Sequence, residues 1–581
     1  MEHAYRQYQE WLESPLFDEA TKLELLAIKD QPEEIKDRFY KDLSFGTGGL
    51  RGVLGAGTNR INRYTVRRAT QGLANYILQQ PKQAAKGVAI AYDSRRMSKE
   101  LAMETALCLN ANNIPAYLFD ALRPTPVLSY TVRHLGCIAG VVITASHNPA
   151  QYNGYKVYWE DGGQITPPRD QEIIQCVRAV HSFADAKMLS REEALGSGLL
   201  RMIGAEIDGA YIEELKKLCI QPELMREFGS QLTVVYTPLH GTGFSFVPRI
   251  LQECGFTNVH VVPQQAQPDG DFPTVVSPNP EDRGAFTLAL ALAEQVHADL
   301  ILATDPDADR LGAYVRGSDG VFHELNGNMS GMLLCEYQLS MRSQLGTLPD
   351  NGAIVKTIVT GNMSKAAAAF YHTALIETLT GFKYIGEQIL RFEQTNSHEF
   401  LFGYEESYGC LIGTSVRDKD AIVAVMALCE AAAYYASKHM TLWDQMLALY
   451  QKYGYYREQL ISCTLAGAEG AAHIEHLMHR LRSNPPQSLG NPERHMFAVQ
   501  SVTDYLMPGK TGLPKSNVLY FTLTDDAWCC IRPSGTEPKI KCYLGVKGQS
   551  MQHARELSDD LADALYACFT DAHTPEEHGH L

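Results

Sequence analysis

GVAIAYD (87–93), AYLFD (116–120) and IAGVVITAS (138–146) are three short, apolar, β-rich runs, and the stretches between them, near 98–112 and 126–135, carry helical patterning. Strands alternating with helices in this way build a layered α/β domain. The rhythm returns in QLTVVYTPLHG (231–241), VHVVPQ (259–264) and ADLILATDPDADR (298–310), with helices expected near 244–254 and 284–296. A third cycle runs from GAIVKTIVT (352–360) through a helix near 362–371 to EFLFGYEESYG (399–409). The last segment differs. NVLYFTLT (517–524), AWCCIRP (527–533) and KIKCYLGVK (539–547) read as consecutive strands before a helix near 551–568, which predicts a smaller α+β domain. Residues 1–40 read as amphipathic helices capping the first domain, and 182–197 and 480–495 as linkers or long loops.

A chain of 581 residues is too long for one core and predicts several domains. Its formal charge of −16 argues against nucleic acid and anionic membranes as partners. The longest apolar stretch, Ala421 to Cys429, ends at Glu430, far short of the roughly 20 residues of a membrane span. The N-terminus, MEHAYRQYQEWLESPLFDEA, has neither the basic start nor the apolar centre of a secretory signal. Thirteen cysteines without a C-x-x-C fit buried thiols in a reducing compartment, so the cytoplasm is expected.

Four loops carry chemistry. In DPDADR (305–310), Asp305, Asp307 and Asp309 place three carboxylates at alternating positions after a strand, a natural cage for a hard cation such as Mg²⁺. An EF-hand is rejected, because its sixth and twelfth positions would hold Gly and Glu where this chain has Arg310 and Arg316. TASHNP (144–149) sets Ser146 on a turn at a strand end, as a nucleophile or phosphoryl acceptor requires, with His147 and Lys156 nearby; an ordinary Asn-Pro turn is the alternative. GYEESYG (403–409) offers Glu405 and Ser407 to sugar hydroxyls, whereas Arg417 and Lys419 downstream either face an anion or pair with Asp418 and Asp420. RPSGTEPK (532–539) combines Arg532, Ser534, Gly535, Thr536 and Lys539 into a phosphate cradle. The Gly-rich run GTGGLRGVLGAGTNR (46–60) matches neither nucleotide-binding pattern, and its Arg51 is a guide for an anion.

In this order and spacing, TASHNP, DPDADR, GYEESYG and RPSGTEPK resemble the α-D-phosphohexomutase family over most of the chain. FGTGGLRG, NGYKVY and TLTGFK (378–383) further resemble its branch of bacterial phosphoglucomutases and mammalian phosphoglucomutase-2/phosphopentomutase types. The resemblance implies three similar α/β/α layered domains plus a smaller C-terminal α+β domain around a central cleft. Placed on this chain, the domains are 1–200 with the helical cap and phosphoserine loop, 201–320 with the metal loop, 321–450 with the sugar loop and 451–581 with the phosphate loop.

It also implies roles. Ser146 is the phosphoserine and joins Asp305, Asp307 and Asp309 around Mg²⁺, and Lys156 matches a lysine assigned to acid/base work, with His147 and Arg310 beside the reacting centre. Glu405, Ser407, Thr380, Gly381 and Lys383 bind the sugar, and Arg532, Ser534, Gly535, Thr536 and Arg51 the phosphate. The implied reaction interconverts glucose 1-phosphate and glucose 6-phosphate, with glucose 1,6-bisphosphate as intermediate and activator. Phosphopentomutase, sugar-bisphosphate synthase and a catalytically silent phosphosugar-binding module are the alternatives. Gly409 stands where dual-specificity phosphomannomutases carry His, which turns the reading away from mannose.

Overall fold

The computed structural model describes residues 2–46, 49–464, 467–507, 509, 511–533 and 539–570. They divide into two compact units, 1–330 with 382–442, and 331–381 with 443–581. The strands form four sheets.

In the first unit, helix Glu2–Glu13 buries Ala4, Tyr8 and Trp11, spaced so that one stripe faces inward. These side chains join Phe17, Leu25, Ile35, Phe39 and Tyr64 in a core of their own, with Trp11 stacked on Phe17 at 4.0 Å between ring centroids. Helix Arg63–Leu78 starts at a capping box, Asn62 accepting from the Thr65 amide and Thr65 from that of Asn62.

The first sheet runs in the order Gly49–Val53, Tyr152–Trp159, Ala139–Ile143, Val88–Tyr92, Ala116–Phe119, Leu200–Ile203. Val88–Tyr92 and Ala139–Ile143 are buried along their whole length, as parallel strands covered on both faces must be. They pair in parallel, whereas Tyr152–Trp159 pairs antiparallel with Ala139–Ile143, setting Lys156 opposite Val142 and Tyr158 opposite Gly140. The second sheet runs Phe322–Leu325, Leu311–Arg316, Leu300–Thr304, Val234–Thr237, Val259–Val261. Further along, strand Glu399–Tyr404 pairs antiparallel with Cys410–Ile412, and helix Ala421–Ala436 starts at Asp420, whose carboxylate accepts from the amides of Ile422 and Val423.

In the second unit, Gly352–Thr357 and Ala374–Thr378 pair in parallel. The C-terminal sheet is antiparallel, in the order Tyr455–Thr464, Lys539–Gly548, Trp528–Pro533, Leu519–Leu523, His495–Asp504, Ser488–Asn491. Helix Met551–Thr570 adds Leu557, Leu561 and Leu565 to the core on this sheet.

Two expectations are corrected. The stretch 182–197 contains helix Arg191–Gly196, because Ser190 and Glu193 form a capping box that outweighs the polar composition. Within 480–495, helix Gly467–Ser483 ends and strand Ser488–Asn491 pairs with His495–Asp504, Leu489 opposite Phe497; one buried Leu in each such short edge strand is a weak signal. None of the thirteen cysteines, all of them among the described residues, forms a disulfide, and no described helix is long and apolar enough to cross a membrane.

Candidate active site

Two parallel strands of the first unit end in the loops that matter, at the carboxyl edge where open α/β sheets build their sites. Ala139–Ile143 leads into Ser146, and Leu300–Thr304 into Asp305–Asp309. Ser146 adopts a left-handed φ of 51°, uncommon for a residue with a side chain. Its amide donates to Thr144 Oγ1 at 2.8 Å. Arg95 fixes the rest of the loop. Its guanidinium donates to the carbonyls of Ser146 at 2.5 Å and of Pro149 and Tyr152 at 3.0 Å each, and also to that of Asn148. One buried, planar fork thus sets four carbonyls, and Ser146 Oγ emerges aimed at the second loop.

Ser146 Oγ donates to Asp305 Oδ2 at 2.6 Å. Asp305 Oδ1 accepts from the amides of Asp309 and Arg310, both at 3.0 Å. Asp307 Oδ2 accepts from Lys156 Nζ and Thr125 Oγ1, both at 2.9 Å. Asp309 Oδ2 lies 3.1 Å from Lys419 Nζ and 3.7 Å from Lys156 Nζ. Asp305 therefore has both oxygens engaged by protein donors, and Asp307 and Asp309 one each. Asp307 Oδ1 and Asp309 Oδ1 are buried without a hydrogen-bond partner, and one ligand oxygen from each of the three lies within 4.8 Å of the others. Buried acceptors left without donors are costly. Three carboxylates converging as hard oxygen donors, two of them with such an oxygen, fit a divalent cation of the Mg²⁺ or Mn²⁺ kind.

The electrostatics agree. Burial, and then the neighbouring Asp307 and Asp309, push the Asp305 carboxyl well above the usual carboxylate range. Burial opposes ionisation of Asp307 too, but Lys156 and the hydrogen bonds around it hold its carboxyl below that range. Lys156 is held above the usual lysine range because Asp307 and Asp309 outweigh its burial. Arg310 pairs with Glu281 at 2.5 Å and lies 3.8 Å from Asp309. His147 Nδ1 sits 3.2 Å from Ser146 Oγ; burial, with Arg310 and Arg51 close by, lowers its basicity well below that of a free histidine. Arg51, on the strand beside the loop, donates to Asn148 Oδ1 at 3.2 Å.

Glu405 follows the strand Glu399–Tyr404 and is buried; burial pushes its carboxyl up to about 7 against the pull of Lys419 and Arg310. Ser407, half-buried, lies in the same loop. Lys383 opens helix Lys383–Thr395, 3.8 Å from Asp170, and burial lowers its basicity. The first unit thus brings together Ser146, His147, Lys156, the three aspartates and Arg310, with Glu405 within reach of Arg310's charge.

Thr380, Gly381 and Arg532 belong to the second unit. Gly381 has a φ of 117°, which a side chain rarely tolerates. Arg532 donates to Tyr543 Oη at 3.1 Å and lies over its ring. Ser534, Gly535 and Thr536 fall outside the described residues. Arg417 is fully buried and pairs with Glu393, which resolves its role in favour of an internal ion pair.

Sequence reading missed Arg95 and Thr125. Arg95 follows the buried strand Val88–Tyr92 at its carboxyl end, the position that could have marked it.

Family models agree with this architecture. The chain matches phosphoglucomutase/phosphomannomutase α/β/α domain I over residues 42–183, domain II over 209–318, domain III over 326–453 and the C-terminal domain over 509–564. It is 36% identical over 549 residues to a phosphoglucomutase of Staphylococcus epidermidis, covering 92% of this chain and 95% of that one. With a Staphylococcus aureus phosphoglucomutase the identity is 35% over 553 residues, covering 93% and 95%. In fold it is similar to the open form of pp63/parafusin, a phosphoglucomutase from Paramecium, with a TM-score of 0.68, 18% identity and coverage of 92% and 95%.

The chain belongs to the α-D-phosphohexomutase family, built of three α/β/α domains and a C-terminal domain. Within that class it is an intramolecular phosphotransferase.

Proposed function

We propose that the protein is a phosphoglucomutase, interconverting glucose 1-phosphate and glucose 6-phosphate through a phosphorylated Ser146. The observation that carries this reading is the 2.6 Å contact of Ser146 Oγ with Asp305 inside a cage of three buried aspartates. A hydroxyl held there is poised to carry a phosphoryl group whose charge a divalent cation offsets. Asp305, Asp307 and Asp309 would hold Mg²⁺, which supplies electrostatic stabilisation of the transferring group when bound.

The chain's own residues do the rest. Arg95 keeps the serine loop in one shape, so the nucleophile is pre-positioned. Lys156, charged and fixed on Asp307, stands beside the reacting centre as the acid that can protonate the departing Ser146 oxygen, and once neutral it takes up the proton of the sugar hydroxyl. Glu405 and Ser407 take ring hydroxyls, joined by Thr380, Gly381 and Lys383. Arg532, with Ser534, Gly535 and Thr536, takes the phosphate that is not being transferred, and Arg51 guides it in. Transfer from Ser146 to the 6-hydroxyl gives glucose 1,6-bisphosphate. After the intermediate turns, its 1-phosphate returns to Ser146 and glucose 6-phosphate leaves, so bonds formed and broken balance over the cycle. Glucose is favoured by the identity to relatives named phosphoglucomutase and by Gly409 in place of the histidine of dual-specificity enzymes.

Rates on glucose, mannose and ribose 1-phosphates, measured side by side with Mg²⁺ and a trace of bisphosphate, test the assignment. Glucose 1-phosphate is expected to give a kcat/KM at least about 10-fold above the others, a difference worth about 1.4 kcal/mol. A higher value for ribose 1-phosphate would make the protein a phosphopentomutase instead.

A further inference from the structure

Strand Tyr152–Trp159 places Lys156 and Tyr158 two residues apart, hence on one face. Lys156 reaches Asp307 directly. Tyr158 reaches the cage by a longer route. Fully buried, its hydroxyl donates to Asp418 Oδ2 at 2.6 Å. Asp418 Oδ1 accepts from the amide of Lys419 at 2.8 Å and from its Nζ at 3.3 Å, and that same Nζ lies 3.1 Å from Asp309 Oδ2.

We propose that Tyr158 and Asp418 are positioning residues for the metal cage, holding Lys419 on the outer oxygen of Asp309 so that Oδ1 faces the ion. The proposal rests on the reading of the three aspartates as a divalent-cation site. The need for such a device follows from geometry. Lys419 lies near Asp309, Asp418 and Glu405, all acidic, so its flexible four-carbon arm has alternative partners. Asp418, anchored on one side by Tyr158 and on the other by the Lys419 amide, fixes where the ammonium sits. The tyrosine is committed to this contact: at 0% exposure it meets no water, and a buried hydroxyl without its acceptor would be costly. One strand face therefore orients two of the three carboxylates, Asp307 through Lys156 and Asp309 through Tyr158, Asp418 and Lys419. Partners that orient metal ligands in this way typically change metal affinity 10- to 100-fold, by roughly that range when removed.

The test is Mn²⁺ binding to the full-length protein, followed by electron paramagnetic resonance of the free ion, in wild type, Tyr158→Phe and Asp418→Asn. Tyr158→Phe is expected to raise the Mn²⁺ dissociation constant about 10-fold or more, with KM for sugar phosphate at saturating metal unchanged. A folded Tyr158→Phe that binds Mn²⁺ within twofold of wild type overturns the proposal. Should that variant fail to fold, Asp418→Asn decides, since it keeps an acceptor for the tyrosine but drops the charge that holds Lys419; unchanged affinity there overturns the proposal equally. Wild-type protein that takes up no Mn²⁺ overturns the cation-site reading itself, an outcome distinct from tight and equal binding by wild type and variant.

Discussion

Two of the buried ionic clusters among the described residues differ in what they leave unsatisfied. In the second unit, Lys356 is fully buried, 3.0 Å from Glu377, and donates to Thr360 O at 2.8 Å, Asn362 Oδ1 at 3.3 Å and Thr357 O at 3.4 Å. Lys365 covers the other side of Glu377 at 3.0 Å. Donors and acceptors there are matched to one another. Around Asp305, Asp307 and Asp309 three carboxylates crowd together, and two oxygens have no donor. A cluster that satisfies itself supports the fold; one that concentrates surplus acceptors at a point is built for something added later.

The largest contrast is expected from Asp305→Asn. It removes one charge from the cage while keeping an acceptor for the amides of Asp309 and Arg310, so mutase activity should fall about 10³-fold or more, in line with loss of a preorganised electrostatic group. At a pH above the raised titration of Asp305, the metal-free variant should nonetheless unfold later than wild type, because mutual repulsion drops; a stabilisation of about 1 kcal/mol is the scale for relieving one like-charge contact in a partly hydrated site. Calorimetry of both proteins in chelator checks this, and a lower unfolding temperature for the variant would erase the distinction between the clusters.

Glu377→Gln is the mirror case, with a smaller consequence. Removing the carboxylate leaves Lys356 buried beside a neutral amide, and a loss of about 2 kcal/mol is expected, below the full cost of an isolated buried charge because carbonyls remain. Urea unfolding measures it. The sign of its pH dependence sharpens the test. Burial already pulls Lys356 down to about 8, below its unfolded value near 10.4. The unfolded chain thus binds more protons between these values, and this lysine makes stability fall as pH drops from about 10.4 to about 8. Without Glu377 the window should extend to lower pH. A pH profile parallel to that of wild type would show that Glu377 does not hold the lysine's charge.

Much of this was readable from residue order. The buried strands Val88–Tyr92, Ala139–Ile143 and Leu300–Thr304 are continuous apolar runs, and the serine and aspartate loops each follow a strand end. Local chemistry also located the three aspartates. What escaped was long-range. Strand Tyr152–Trp159 is not among the strands expected from the sequence, and its antiparallel pairing with Ala139–Ile143 is set by tertiary packing. The Tyr158–Asp418 contact joins residues 260 positions apart, and no local pattern encodes it. Arg95 was hidden for the same reason, since its four carbonyl partners lie more than 50 residues downstream. The helix at Arg191–Gly196 escaped differently, through a cap signal, Ser190 with Glu193, overlooked within a polar stretch.

The most direct test of the cage and its serine is intact-protein and peptide mass spectrometry after incubation with glucose 1,6-bisphosphate and Mg²⁺, in wild type and Ser146→Ala. Wild type is expected to gain the mass of one phosphoryl group, located on Ser146 and lost on adding excess glucose 1-phosphate, while Ser146→Ala gains none and is inactive. A phosphoryl group on another residue, or full mutase turnover in Ser146→Ala, would contradict the assignment of Ser146 as the phosphoryl carrier.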